Sequence, residues 1–210
     1  MGENSKIEWT RHTFNPWWGC THVHEGCRHC YAEAWAKRFG VKWGPSGVRR
    51  VASEAQWKEP LKWNRAAEKA VVRAKVFCAS MADVFEEYSL QLVTKDGRPA
   101  VKCHARGKFS HYQGCNLRGG NDALMMDDVR TRLFELIDQT PYLDWQLLTK
   151  RPENIRKMWP MQTAGFRADV GNVQPNVWLG TSISDQASAE KQIPELLKAS
   201  LLFARLWSDM

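Results

Sequence analysis

Residues 144–152 (DWQLLTKRP) and 176–184 (NVWLGTSIS) form the stretch of sequence that decides the fold. Each range contains a predicted strand, over 144–149 in the first and over 176–184 in the second. Pro152 occupies the favoured first-turn position of a helix after the first strand, and Asp185 can cap a helix after the second. A further strand is predicted to begin at 201–206. Strands that alternate with helices at this spacing predict an α/β fold with a parallel sheet or barrel, whose chemistry lies at the carboxyl ends of the strands.

The same alternation extends toward the N-terminus. Residues 74–80 (AKVFCAS) predict a buried strand, and residues 13–15 contain a candidate first strand. Helices are predicted over 30–39, where Tyr31, Trp35 and Phe39 recur every four residues, over 59–69, where Pro60 limits the start, and after Asp127 and Asp128, which suit a helix N-terminus. Residues from about 88 to 125 are polar and glycine-rich without clear periodicity, and they predict a basic insertion after the second strand.

Length and composition limit the class of protein. The chain has 210 residues, of which 43% are hydrophobic and 25% charged, so we expect a single globular domain over 1–210 and not a disordered chain. No apolar run reaches the roughly 18 residues of a membrane span, and residues 1–9 are too polar for a signal peptide. These features predict a cytoplasmic protein without a membrane partner. Six cysteines are too few for a disulfide scaffold at this length.

The positive charge is concentrated in residues 36–75. This range holds eleven Lys or Arg and three Glu, which accounts for the formal net charge of +7 of the whole chain. Trp43, Trp57 and Trp63 are interleaved with these cations. Two interpretations are open: the cations track phosphates while the tryptophans stack on bases, or the cations form a solvated face and the tryptophans lie in the core.

The strongest chemical signal is the segment 19–30 (GCTHVHEGCRHC), in which Cys20, Cys27 and Cys30 lie within eleven residues. Three thiolates on a 4Fe-4S cluster leave one iron open for a small molecule. The neighbouring residues His22, His24 and His29 also allow a Cys/His zinc site, for which C-x2-C is the common half-site. The spacing alone does not decide between these alternatives, and a third is that the thiols are unrelated.

Several blocks of the chain resemble one family in order. They are 7–10 (IEWT), 13–20 (TFNPWWGC), 26–33 (GCRHCYAE), 59–63 (EPLKW), 76–85 (VFCASMADVF), 147–153 (LLTKRPE), and 176–182 (NVWLGTS) with Asp185 and Gln186. Together they resemble the phage-associated, radical-SAM-like proteins of a phage gene-product family of unknown function. The resemblance covers about residues 5–87 and 125–200 and is interrupted by the insertion, and an ordered set of blocks is far more specific than a single CxxC.

The resemblance implies a partial (β/α) barrel of the radical-SAM type, with a 4Fe-4S cluster on Cys20, Cys27 and Cys30. In such enzymes the open iron binds S-adenosyl-L-methionine, and reductive cleavage gives a 5'-deoxyadenosyl radical that takes hydrogen from a substrate. The implied partners are an electron donor such as flavodoxin or ferredoxin and an unidentified substrate. The basic, tryptophan-rich segment beside the cluster favours nucleic acid or a nucleotide as that substrate. The wider superfamily uses C-x3-C-x2-C, so this loop is three residues longer.

The residues assigned to cofactor binding all follow predicted strands: Ser80, Asp83, Lys150, Thr181 and Ser182. Related barrels contact the methionyl end of the cofactor after the second strand, although Asp83 also suits a helix cap. Lys150 and Arg151 predict a cation pair for a carboxylate or phosphate, or else a solvated loop pair. The two hydroxyl residues after the later strand contact ribose or simply end the strand.

Other features define the alternatives to an active enzyme. One is a zinc-stabilised nucleic-acid-binding protein without catalysis, and the other is an inactive, truncated relative. A full eight-unit barrel needs about 250 residues, so a chain of this length predicts an exposed edge at 201–206. In the insertion, a second metal site is a candidate on Cys103, His104, His111 and Cys115, although their spacing matches no established zinc pattern. Cys78, within a strand, is predicted to lie in the core.

Overall fold

The computed structural model describes residues 2–3, 5–103, 110–111, 122–159 and 174–200. The strands are, in chain order, β1 (Gly2–Glu3), β2 (His12–Phe14), β3 (Trp17–Trp18), β4 (Arg50–Val51), β5 (Ala74–Cys78), β6 (Lys102–Cys103), β7 (Ser110–His111), β8 (Leu143–Thr149) and β9 (Val177–Thr181). The helices are α1 (Tyr31–Arg38), α2 (Glu54–Ala70), α3 (Met126–Asp138), α4 (Ile155–Met158) and α5 (Gln186–Ser200). Short 3-10 turns cover Glu25–Cys27 and Pro152–Asn154.

The central sheet has the order β1-β2-β5-β8-β9. Strands β2, β5, β8 and β9 are parallel, whereas β1 runs antiparallel along β2 at one edge. The register aligns Phe14 with Cys78, Cys78 with Leu147, and Leu147 with Leu179. The prediction of an α/β fold with a parallel sheet is therefore confirmed, and the carboxyl ends of four strands meet at one edge.

The core lies between this sheet and its helices. Large side chains from different elements meet there without exposure to solvent, including Phe14 of β2, Phe134 of α3 and Trp145 of β8. Trp57 and Trp63 of α2 are each 3% exposed and belong to the same core. These two tryptophans are therefore not available to stack on bases, as the second of the two interpretations predicted. Cys78 is also confirmed as a core residue, and burial raises the pKa of its thiol.

Helix α2 begins five residues earlier than the sequence predicted. The Ser53 hydroxyl accepts a hydrogen bond from the backbone N–H of Gln56, and the Gln56 side chain accepts one from the Ser53 N–H, which forms a capping box. Pro60 lies inside the helix and is buried. The predicted start near Glu59 was wrong, because the capping box starts the helix before Pro60.

The apolar periodicity of α1 lies on its exposed side. Residues 30–39 were predicted to be helical because Tyr31, Trp35 and Phe39 recur every four residues, and the helix is confirmed over Tyr31–Arg38. The side chains that α1 buries are those of Ala32 and Ala36, whereas the three aromatic residues are 56%, 46% and 60% exposed. Small alanines let the helix approach the rest of the protein closely, so its aromatic face is left in solvent.

The described ends of the predicted insertion are attached to the core. Leu92 and Leu124 have no exposed surface, and backbone hydrogen bonds connect Leu92 N to Leu124 O and Ala100 N to Leu92 O. Strands β6 and β7 pair within it and bring the backbones of Cys103 and Ser110 opposite each other. The described ends of this range are therefore packed against the core through buried apolar residues. His104, Cys115 and the strand predicted at 201–206 lie outside the described residues.

The other helices follow their predicted signals. The Asp128 carboxylate accepts a hydrogen bond from the Met125 N–H at the start of α3, and Asp185 accepts one from the Ser188 N–H at the start of α5. None of the helices in the described ranges has both the length and the apolar character needed to cross a membrane.

We expect the stability of the protein to fall as the pH decreases from about 6.5 to about 4. His12 stacks on the Trp63 ring with centroids 4.4 Å apart, and burial, with the nearby Arg11 charge, lowers its pKa from 6.5 to about 4. In this window the unfolded state binds a proton at His12 that the folded state does not, so acid favours unfolding. The loss is about 2–3 kcal/mol and is complete below pH 4. Urea unfolding against pH measures it, and His12→Phe, which keeps the ring but cannot be protonated, should flatten the curve over this window. An unchanged slope in that variant would contradict the assignment.

Candidate functional site

A cavity of about 160 Å³ lies at the carboxyl edge of the sheet. It is lined by residues from the cysteine segment and from the segments that follow β5, β8 and β9: Cys20, Thr21, His22, Cys27, Cys30, Tyr31, Ala32, Trp43, Phe77, Ala79, Ser80, Ala82, Asp83, Leu148, Thr149, Lys150, Arg151 and Ser182. The structure therefore brings all three cysteines together with four of the five predicted cofactor-binding residues.

The cysteine segment is held in place by its backbone. Gly19 has a φ of +116°, which favours glycine, and a Cβ there would approach both the Arg49 side chain and the Val48 carbonyl within 2.8 Å. The Gly19 N–H donates to the Met81 carbonyl, and the Gly44 N–H donates to the Cys20 carbonyl. These bonds anchor the start of the segment to the residues after β5 and to the residues between α1 and β4. At its other end, Cys30 is the N-cap residue of α1.

Cys20 contacts a cation from the segment that follows β8. The Arg151 guanidinium lies 3.5 Å from the Cys20 Sγ and donates a second hydrogen bond to the Thr21 carbonyl at 2.6 Å. Burial raises the pKa of the Cys20 thiol to about 12, and the charge of Arg151 opposes this shift. Cys20, Cys27 and Cys30 are free thiols, and Cys27 is buried.

Asp83 holds Arg151 in this position. One carboxylate oxygen accepts from the Thr149 hydroxyl at 2.7 Å and the Phe85 N–H at 3.0 Å, and the other accepts from the Lys150 N–H at 2.9 Å and an Arg151 N–H at 3.0 Å. These four bonds satisfy the acceptor capacity of the carboxylate. Asp83 was predicted to bind the cofactor, and the structure gives it contacts that orient the cation beside Cys20.

A second buried ion pair supports the same wall. The Arg49 and Glu86 side chains are 0% and 1% exposed and form a bidentate pair with N–O distances of 2.9 and 2.7 Å. Arg49 also donates to the Thr21 hydroxyl at 2.8 Å and to the Gly47 carbonyl at 2.8 Å. Glu86 lies 3.8 Å from Arg151. The two pairs therefore form one charged network behind the first cysteine.

Ser80 belongs to a separate network at the end of β5. Its hydroxyl and the Asn15 side chain exchange hydrogen bonds of 3.0 and 3.3 Å, and the Asn15 oxygen accepts from the Met81 N–H at 2.7 Å. The Tyr31 hydroxyl donates to the Ser80 carbonyl at 2.6 Å. Through these bonds β2, β5 and α1 are connected at the cavity wall.

Two of the three remaining predicted cofactor-binding residues line the cavity, and the third does not. Lys150 and Ser182 line the cavity. Thr181 does not: its hydroxyl bonds to the Thr149 carbonyl and to the Gln192 side chain. The backbones of Cys103 and His111 lie in the β6–β7 pair. Within the described ranges, no group of three His, Cys, Asp or Glu side chains is arranged to hold a single metal ion.

Sequence reasoning missed Arg49, Glu86, Asn15 and Tyr31 as residues of the site. Arg49 was counted among the cations of the basic segment, and nothing in the sequence signals that it is buried. Tyr31 lies directly after the last cysteine, and Asn15 directly after the first parallel strand. For Tyr31 and Asn15, the position next to the cysteine segment or a predicted strand was the available sequence signal.

Comparison with known proteins gives one result. The family described as "Protein of unknown function (DUF5131)" matches residues 4–96 and 121–206. The unmatched residues 97–120 fall inside the predicted insertion. No curated protein and no solved structure matches the chain. The family description names no activity, so the radical-SAM resemblance stays a prediction. Because the match covers most of the chain, the protein belongs to the DUF5131 family of proteins of unknown function.

Proposed function

We propose that the protein is a radical-SAM-like iron-sulfur enzyme. The observation that carries this proposal is the single cavity in which Cys20, Cys27 and Cys30 meet residues that follow three parallel strands. In α/β sheets, ligands bind at this edge. The described strands form an open sheet. A barrel of the radical-SAM type therefore belongs to the proposal and not to the described fold.

The chemistry of the donor set suits a 4Fe-4S cluster. Three thiols from one short segment line one cavity, and three thiolates are the protein ligands that leave one iron open. Each thiolate binds a different iron, so the thiols need not converge on one point. When bound together, such a cluster and S-adenosyl-L-methionine supply a 5'-deoxyadenosyl radical, with the electron coming from a donor such as flavodoxin or ferredoxin.

The chain's own residues have separate tasks in this proposal. Arg151, held by Asp83, places a positive charge and a hydrogen-bond donor beside Cys20, which stabilises negative charge on a thiolate or cluster. Lys150 lines the cavity and would attract the carboxylate of a bound amino acid group. Ser182 offers a hydroxyl at the end of β9. The core below the cavity limits access of water from the sheet side.

A zinc site is the second candidate, and one observation favours it. The cavity lining includes His22 as well as the three cysteines, which are together the ligand types of a Cys3His zinc site. In that case the protein would be a zinc-stabilised nucleic-acid-binding protein without catalysis. His22 is paired with the Glu33 carboxylate at 2.7 Å.

Metal analysis of the anaerobically purified protein separates the two candidates. For the iron-sulfur enzyme we expect about four iron atoms and about four sulfide ions per chain, and a brown colour with absorbance at about 400 nm. The physical reason is that three thiolates and inorganic sulfide stabilise the cluster when oxygen is excluded. One zinc per chain without sulfide would contradict the proposal and support the second candidate.

The surface charge supports nucleic acid or a nucleotide as the substrate. Helix α2 exposes Lys58, Lys62, Arg65 and Lys69, and a row of exposed cations attracts phosphates. Lys62 pairs with Glu59 at 2.6 Å, so its charge is partly offset. Since Trp57 and Trp63 are buried, any stacking on bases has to come from other aromatic residues.

A further inference from the structure

The exposed side of α1 carries aromatic rings that the fold does not use. We call Tyr31, Trp35 and Phe39 the aromatic stripe. Their side chains are 56%, 46% and 60% exposed, and the Trp35 and Phe39 rings are stacked with centroids 5.5 Å apart and planes at 29°. A soluble surface rarely exposes large apolar side chains in a contiguous row without a binding role.

The aromatic stripe begins at the cavity. Tyr31 lines the cavity that holds the three cysteines, and its hydroxyl bonds to the Ser80 carbonyl in the cavity wall. Residues four apart are neighbours on a helix, so Trp35 and then Phe39 continue outward from Tyr31 along α1. A ligand that lies along the stripe therefore leads directly to the proposed active site.

The charge around the stripe is positive. Between Tyr31 and Lys42 the chain has three cations, Lys37, Arg38 and Lys42, and one acid, Glu33. Glu33 already contacts His22 and Lys37. Arg38 lies three residues after Trp35, hence on the same side of the helix, and no ion pair of Arg38 is found within the described ranges.

We propose that the aromatic stripe binds a single-stranded nucleic acid and directs one of its nucleotides to the cavity. Flat rings accept bases of any identity by stacking, and the neighbouring cations bind the backbone phosphates. A duplex hides its base faces within the stack and cannot use the rings in this way. This inference rests on the proposed function only for what happens in the cavity.

The test is fluorescence anisotropy with labelled strands of about 20 nucleotides, which exceed the 4–16 nucleotides of a typical single-strand site. DNA, RNA and duplex DNA form separate arms and identify the preferred strand. We expect Trp35→Ala and Phe39→Ala each to weaken single-strand binding about 5- to 100-fold. Arg38→Ala should lower the slope of log affinity against log salt by about 0.7.

Matched controls come from the far side of the protein. Tyr142, 37% exposed just before β8, lies at the opposite end of the sheet, and Lys75 is an exposed cation beside it at the amino end of β5. Tyr142→Ala and Lys75→Ala should bind within about twofold of the unchanged protein, since substitutions away from the contact have small effects. Thermal unfolding of Trp35→Ala should be unchanged because its ring is exposed.

Three results would overturn the inference: no single-strand binding at micromolar protein, equal binding by Trp35→Ala, or a dimer in sedimentation that Trp35→Ala abolishes. The last result would identify the stripe as an interface between two copies of the chain. Strand binding needs no bound cluster, so its failure leaves the iron and sulfide result standing. Conversely, single-strand binding by a protein that holds no iron would support the role of the aromatic stripe and contradict the proposed iron-sulfur chemistry.

Discussion

Replacing Glu86 by alanine is expected to lower the free energy of unfolding by about 3–5 kcal/mol. The substitution removes the partner of Arg49, a guanidinium without exposed surface, and leaves a buried charge unpaired. It also removes the carboxylate that lies 3.8 Å from Arg151. The loss is a large part of the 5–15 kcal/mol that stabilises an ordinary domain. Urea unfolding followed by circular dichroism measures it.

The control for Glu86 is an ion pair of the same chemistry at the surface. Glu59 pairs with Lys62 on α2 at 2.6 Å, with both side chains in contact with solvent. Glu59→Ala should cost less than about 1 kcal/mol, because water replaces the lost partner. Glu86→Gln keeps the shape and one acceptor, so we expect an intermediate loss. If Glu86→Ala and Glu59→Ala cost the same, the network does not stabilise the cavity wall.

Replacing any one of Cys20, Cys27 or Cys30 by alanine is expected to remove nearly all bound iron and sulfide. Two thiolates hold a four-iron cluster poorly, since a second iron then lacks its protein ligand. Iron and sulfide analysis after anaerobic reconstitution measures this loss, together with the absorbance at about 400 nm. Circular dichroism shows whether each variant folds, which matters most for the buried Cys27.

Cys78 provides the matched control for these variants. It is a free thiol with no exposed surface in β5 and belongs to the core, whereas its neighbours Phe77 and Ala79 line the cavity. Cys78→Ala should keep its iron, although the lost sulfur contacts cost some stability. If Cys78→Ala loses iron as completely as Cys20→Ala, cysteine loss acts through stability. If the three motif variants keep their iron, the cluster is bound elsewhere.

The strands and most helices could be predicted because their signals are local. Short stretches rich in apolar residues mark β5, β8 and β9. Asp128, in the first turn of α3, and Asp185, directly before α5, accept backbone hydrogen bonds at the starts of these helices. The start of α2 was missed because a proline carries a strong local signal that the capping box at Ser53 outweighs. The buried face of α1 was not predicted, because its helical period is marked by aromatic residues and its packing by alanines.

The candidate site was only partly predictable. The three cysteines were recognised from their spacing, and Ser80, Lys150 and Ser182 from their positions after strands. The bidentate pair of Arg49 and Glu86 was not recognised, because its two residues are 37 positions apart in the sequence. A charge pattern shows where cations lie along a chain, but burial depends on which segments cross in space.

The sequence by itself determined the α/β class, the parallel direction of the strands and the grouping of the three cysteines in one short segment. Each of these follows from periodicity or spacing over a few residues. Only the tertiary structure decided what surrounds those cysteines. It placed Arg151 beside Cys20, surrounded both Asp83 carboxylate oxygens with hydrogen-bond donors that include Arg151, and left Trp35 and Phe39 exposed. The physical reason is that an ion pair or a buried face is a property of two segments in contact, which neither segment carries alone.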